Sequence, residues 1–481
     1  MEPSKHPGWL DRSLPTFKAM ARKCFAKRKP PTRFQIWFGR VLQITYAALI
    51  LAFIGWRWQL NREVDSLLAS YRAAGLPTNG EELNAFYPAV PDNENAALHI
   101  MQAAELLQEY PDDRLVELRR FQVPRRGEDL SPDQEVLLQG YIDLNRNALA
   151  KVIQALELPK SRYPVDLSAG LYADLAHIGR VRQLGQLFQY QCLLALAENR
   201  LDDAVHSIKQ VVGLTRSLDN EPMLLSSLTR DALLFMAVRC LERTLNPGPL
   251  NEQQLTQLSE SFDGVHQANI FARALAGEVA SIADCLALNQ PEMFEGPAPT
   301  DEADESPALG RVALGAIRFS GLYARDLRFY LRGMQTNLAL AKLPPPECLD
   351  MTNHLAEMVR QADAHHHINV SIILPAMPRV VPKAVDAAAV LTVGRTGIAV
   401  EQFRLDKNRL PKALADLAPE YLDSVPIDPF DGQPLRFRKL DPGYMIYSVG
   451  MDGQDDGGNE PPLRIKSTDT NSYDLTFIVE R

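Results

Sequence analysis

The chain has 481 residues, 46% apolar and 23% charged, with 27 Gly, 34 Pro and 5 Cys, which excludes a disordered chain, a collagen-like repeat and a small disulfide scaffold. Its net charge of −9 is unevenly divided: residues 1–40 carry ten Lys/Arg against Glu2 and Asp11, a local +8 that leaves −17 for the other 441. An acidic body lacks the cationic surface that neutralises phosphates, so no nucleic-acid partner is expected.

A basic head over residues 1–33 precedes the longest apolar stretch, which spans 34–58 from Phe34 to Trp58 with only Gly39-Arg40 interrupting it. As a helix these 25 residues would be about 37 Å long, enough to cross a hydrocarbon core of about 30 Å. Trp37, Trp56 and Trp58 suit an interfacial belt. Eight cations from Lys18 to Arg40 precede most of the span and only Arg57 and Arg62 follow closely, so the positive-inside rule puts the N-terminus in the cytoplasm and the rest outside it. No small-x-small cleavage site follows, so the segment reads as an anchor in a bacterial inner membrane. Cys24 would then be cytoplasmic. Cys192, Cys240, Cys285 and Cys348 would be exoplasmic, an even number that permits disulfides, although three of them sit in apolar helical runs where a thiol acts as a small buried hydrophobe.

Residues 59–383 read as a helical domain, an irregular bundle or short solenoid. Thr78 is expected to cap a helix at Glu81-Glu82, and Asp92 or Asn93 one that runs from about Asn95 to Tyr110. Ser131-Pro132-Asp133 starts a helix to about Leu156. Leu171, Leu175, Ile178, Val181, Leu184 and Leu187 form an apolar stripe that continues to Leu196. After the polar break at 198–203 a second helix follows with Val205, Ile208, Val211 and Val212. This stretch, LLALAENRLDDAVHSIKQVVGLTRSL, within about 190–218, resembles a tetratricopeptide-type helix pair, without a clean 34-residue repeat elsewhere. Further helices begin near Pro222 and after Asn251. The acidic, proline-rich 295–307 reads as a mobile loop.

The texture changes at Ala384. Val385, Ala389, Thr392, Thr396, Ala399, Val400 and Phe403 fall on one face of a helix to about Asp406. Two alternating segments, Leu435–Leu440 and Tyr444–Val449, flank Asp441-Pro442-Gly443, and a last strand covers Leu475–Val479. Residues 384–481 are therefore expected to form a small α+β domain with a three-stranded antiparallel sheet in an otherwise mainly α protein. AVEQFRLDKNRLPKALADLAPEYLDSVPIDPFDGQPLRFR followed by YMIYSVGMDGQDDGG, within 384–458, resembles the globular domain of the major pseudopilin of bacterial type II secretion systems. There a helix leads through a Tyr/Phe-Arg-x-Asp-x-x-x-x-Pro turn and a D-P-W/F-G-x-P loop into a sheet with a Y-S-x-G-x-D-G loop. The resemblance implies calcium at Asp452, Asp455 and Asp456. Three acids with Gly453, Gly457 and Gly458 around them could supply oxygen ligands, but the spacing is not that of an EF-hand, and an acidic solvated turn is the alternative. The pattern is incomplete at the anchor, where Gly39-Arg40-Val41 lacks the Phe and Glu of a pseudopilin processing site.

No nucleophile, zinc, phosphate-loop or dinucleotide motif is present. His365-His366-His367 is the most metal-like run, but consecutive helical residues diverge by about 100°, and His354, read on the same helix, lies about 16 Å away. Asp428, Asp431, Glu401 and Arg404 read as turn formers and helix-end charges. The expectation is a non-catalytic, membrane-anchored envelope protein that meets envelope or secretion proteins. The alternatives are an envelope hydrolase with its pocket between the helical body and the terminal module, and a tetratricopeptide-like peptide receptor.

Overall fold

A computed structural model describes residues 32–265, 269–287, 319–460 and 473–481. The basic head up to residue 31, Cys24 and the acidic loop 295–307 lie outside the described residues. The chain divides into two compact units, Met1–Arg62 and Glu63–Arg481.

In the first unit the described chain is helical from Arg33, in α1 (Arg33–Ala73). Phe34, Trp37, Leu42, Ile44, Leu49, Leu51 and Trp58 are all exposed. The helix is long and apolar enough to cross a membrane: its 18-residue window has a mean hydropathy of 1.6 and none of it is buried. The Thr45 hydroxyl donates to the Val41 carbonyl at 2.9 Å, so this polar side chain of the span is satisfied inside its own helix. Ile368–Lys407 also passes on length and composition, but its Val385, Ala389, Val393 and Val400 are buried in the core of the second unit.

The second unit is helical as far as its terminal sheet. α2 (Gly80–Phe86) is capped by Asn79, whose side chain accepts from the Glu82 N–H at 2.9 Å. Thr78, the expected cap, instead donates both its N–H and its hydroxyl to Glu82. α3 (Ala96–Glu105) starts at Asn95, because Asp92–Glu94 form a separate 3-10 turn ahead of it. α4 (Asp112–Arg120) follows. α5 (Pro132–Leu144) opens with the expected Ser131 cap, reciprocated by Gln134. The single helix expected to Leu156 breaks at Asn145, and α6 (Arg146–Ala155) resumes beyond it. The buried Asn145 amide exchanges two hydrogen bonds with the Gln108 backbone at 2.8 and 3.1 Å.

α7 (Ala176–Ala197) begins later than its apolar stripe, since Gly170 at φ 59° turns Leu167–Tyr172 into a 3-10 segment and leaves Leu171 outside the helix. α7 and α8 (Leu201–Ser217) form the expected hairpin. Asn199 takes a left-handed φ of 55°, the Arg200 N–H reaches the Ala195 carbonyl at 2.7 Å and the Asn199 N–H the Leu196 carbonyl at 3.0 Å, closing a Schellman turn. Ala204 is fully buried between the two helices. α9 (Leu224–Thr244) packs on both, and α10 (Glu252–Asp263), capped by Asn251 and Gln254, packs on α8. α11 (Ile270–Leu286), α12 (Leu322–Leu340), α13 (Asp350–Ala364) and α14 (Ile368–Ile373) build a second apolar cluster around Leu275, Tyr330, Met334 and Met351.

α15 (Val380–Lys407) starts before the expected boundary at 384. One side of it meets α9 and α10 and another meets the sheet. β1 (Arg436–Lys439), β2 (Tyr444–Ser448) and β3 (Leu475–Val479) are antiparallel in the order β1-β2-β3, with Phe437 opposite Ile446 and Ile446 opposite Phe477. The Phe477 ring lies so close to α15 that a Cβ on Gly397 would be 2.4 Å from it, so glycine is required there. Val393, Val400, Ile446 and Phe477 share one hydrophobic core with Leu184, Leu234 and Leu258 of the helical body. The protein is thus mainly α with a small antiparallel sheet.

Candidate functional site

The terminal module is organised around Asp428, which is wholly buried. Its carboxylate accepts from the Phe430 N–H at 3.0 Å, the Ser448 hydroxyl at 2.7 Å, the Val449 N–H at 2.9 Å and Arg436 Nη1 at 2.9 Å. The D-P-F-D-G loop is thereby fastened to the Y-S-x-G turn and to β1. Asp431 is a turn former as expected, accepting from the Gln433 N–H at 2.9 Å. The Arg436 guanidinium beside it holds its carboxyl below the usual range. Glu401, on α15, pairs with Arg481.

Of the three acids of the implied calcium site, Asp452 and Asp455 have separate carboxylate partners. Asp452 accepts from the Gln454 N–H at 3.0 Å. Asp455 accepts from the Gly457 N–H at 3.0 Å and the Tyr447 hydroxyl at 3.1 Å, and lies 3.5 Å from Arg436 Nε. Asp456 donates its N–H to Asp474 at 3.4 Å. Asp474, absent from the sequence reading, also accepts from the Gly458 N–H at 2.6 Å. Burial raises its carboxyl, and the charges of Asp455 and Asp456 add to the rise while the two backbone N–H bonds oppose it. Among the described residues no three His, Cys, Asp or Glu side chains come together as a group that could hold a metal.

The histidine run does not continue the helix of His354. α13 ends at Ala364, His366 takes φ 53°, and the His367 N–H closes a Schellman turn on the Ala362 carbonyl at 2.8 Å. His365 and His366 are exposed. His367 is buried with Nδ1 2.8 Å from Asp326, its ring stacked on Phe329 at 4.4 Å. Asp326 also accepts from the Asn369 backbone and side chain at 3.1 and 3.0 Å. The arrangement is a joint between α12 and α14. His354 bonds Asn337 at 3.1 Å instead. Cys192, Cys240, Cys285 and Cys348 are all buried and in no disulfide among the described residues, as small buried hydrophobes would be.

Sequence reasoning missed a cavity of about 430 Å³ between α9, the start of α11, the 341–348 turn and α15. Ile270, Phe271, Leu343 and Val385 supply apolar wall, and Ser227 and Asp231, one helical turn apart on α9, supply the polar part together with Asn269 and Lys342. None of His365, His366 and His367 lines it. Asp231 is 7% exposed. Burial pushes its carboxyl up to about 7, with Asp386 of α15 adding to the rise and Arg230 opposing it. Burial likewise pushes Asp386 up to about 7 against the pull of Lys383. Asp231 and Asp386 lie 155 positions apart, which leaves no local sequence signal.

The chain matches no family model, no curated protein and no solved structure.

Proposed function

We propose that this chain is a single-pass bacterial inner-membrane protein that holds its helical body and a pseudopilin-like module outside the cytoplasm, where they meet envelope or secretion proteins without catalysing a reaction. The observation that carries the reading is the exposed apolar segment of α1. A helix apolar all round and covered by nothing is unfavourable in water and favourable in hydrocarbon. The excess of cations on its N-terminal side sets the orientation. At the other end Arg62 lies over Trp58, 5.3 Å from the ring centre, a pairing suited to the headgroup layer.

The interaction role rests on the terminal module. Helix, Phe403-to-Pro411 turn, Asp428 loop and antiparallel sheet follow one another in the order of the pseudopilin pattern. Filament assembly is no part of the reading, because the processing residues are missing at Gly39-Arg40-Val41. The reading needs no calcium: the carboxylates of Asp452 and Asp455 accept from the Gln454 and Gly457 N–H groups. Topology reporters fused after residue 30 and after residue 481 test the proposal. They are expected in opposite compartments, the second outside the cytoplasm, and a shared compartment would overturn it.

A further inference from the structure

The run from α14 into α15 carries an apolar face that the core does not use. We infer that this face, Ile368, Ile372, Pro375 and Ala376 with Arg379 and Lys383 at its end, lies on the anionic bilayer surface outside the cytoplasm as a second membrane contact; the inference rests on the reading of α1 as a membrane anchor.

α14 passes through a 3-10 turn, Leu374–Arg379, directly into α15. Along this run Val370, Leu374, Met377 and Val381 are buried and occupy one side. The other side is apolar as well. Ile368 is 64% and Ile372 76% exposed, and no large hydrophobic among the described residues, those of the apolar span in α1 included, is more exposed than Ile372. Pro375 and Ala376 continue the face, and Arg379 and Lys383 end it, all four exposed. A stretch apolar on both sides is a poor surface to hold in water. Aliphatic side chains with cations at one end are what an interfacial segment needs, hydrocarbon among the acyl chains and positive charge among the phosphates.

Charge separates the bilayer from other partners. No Asp or Glu lies between Asp363 and Asp386, in a chain whose residues 41–481 sum to −17. Asp326, the acid that α14 meets on α12, is buried and engaged by His367 and Asn369. Anionic headgroups repel an acidic body, so contact is least opposed where acids are missing and cations stand beside exposed hydrocarbon. Attachment adds to this. Asp326 fastens α14 to α12, and Arg328 and Arg332 fasten α12 to Glu63, five residues beyond Trp58. So short a face binds lipid weakly by itself, but a chain already anchored by α1 makes the second contact intramolecular. A protein partner would have to present acidic and apolar surface together. The bilayer that α1 crosses offers both.

The test uses the full chain carrying Cys24→Ser in nanodiscs of phosphatidylcholine with phosphatidylglycerol, with a quencher on the acyl chains and a fluorophore on one introduced cysteine at a time. Ile372→Cys reports the proposed face, Val136→Cys an exposed apolar position on α5, and Leu49→Cys the apolar span. The four cysteines of the body are buried and escape labelling in the folded chain. The label at 372 is expected to be quenched roughly twofold or more above the label at 136, and Arg379→Glu with Lys383→Glu to remove most of that excess without changing the signal at 49. Equal quenching at 372 and 136 with quenching at 49 intact would overturn the inference and leave the anchor standing. Absence of quenching at 49 would overturn the anchor reading and the inference with it. A label at 372 shielded from aqueous iodide but unquenched from lipid would mean that a second copy or another protein covers the face, which also overturns it, as would an excess at 372 that the two charge reversals leave untouched.

Discussion

At the scale of single residues, Asp428 shows how one buried carboxylate can hold a module together. Its four donors come from the loop that carries it, from β1 and from the end of β2. Asp428→Ala would strand the Ser448 hydroxyl and the Val449 N–H in a dry interior and leave Arg436 with Asp431 alone. Removing one member of a buried charged network typically costs about 3–5 kcal/mol. The variant should therefore unfold at a clearly lower denaturant midpoint than wild type, whereas Asp431→Ala, at the loop's accessible side, should cost about 1 kcal/mol or less. Equal losses in the two would mean that the turn alone matters. In the sequence both aspartates read as turn formers, which is correct for their backbone role. What distinguished them was Ser448 and Val449, twenty positions away, and no local pattern reports that. Asp474 escaped notice for the same reason: it joins the 455–458 loop only through the sheet.

At the scale of elements, the local signals that were legible are those that act within one turn. The caps at Ser131 and Asn251, the hairpin between α7 and α8 and all three strands lie where residue spacing put them. The misplacements came from long-range competition. Asn145 leaves its helix because its amide finds the Gln108 backbone, and the histidine run is recruited to end α13 rather than continue it. The contact between α9 and α15 yields a further prediction. A carboxyl whose proton is held more tightly folded than unfolded adds stability at low pH and loses that contribution as the pH climbs from the ordinary carboxylate range to about 7. Asp386→Asn removes the charge that burial opposes, so it should raise the melting midpoint at pH 8 by an amount equivalent to about 1–3 kcal/mol. It should change little at pH 4, and the stability slope between pH 5 and 8 should flatten. A variant less stable than wild type at pH 8 would show that the carboxylate is compensated in a way the α9–α15 packing does not reveal.

At the scale of the whole molecule, hydropathy and charge made the exposed helix evident, while the extent of the folded body was not. The sequence suggested an independent unit from 384, where texture and motif change. The structure runs α15 from Val380 and places Val393, Val400, Ile446 and Phe477 in one core with Leu184, Leu234 and Leu258. Composition can mark where a motif starts but not which surfaces are shared, since a shared core is a property of tertiary contacts. The compact unit begins instead at Glu63, within α1. Beyond that point Tyr71 donates to the Leu331 carbonyl at 2.7 Å and Glu63 pairs with Arg328 and Arg332 at 3.1 and 3.0 Å, so the last turns of α1 belong to the body. A chain beginning at Glu63 should accordingly stay soluble without detergent, keep its helical circular dichroism and unfold in one transition, because both large apolar clusters lie wholly beyond residue 62. A chain beginning at Ala384 should not melt cooperatively, because the α9 and α10 side of α15 would face water with Val390, Leu391 and Val393 uncovered. Aggregation of the first fragment or cooperative melting of the second would reverse this assignment. If the first fragment is soluble and the full chain requires detergent, the difference belongs to residues 1–62, the unit that carries the apolar segment.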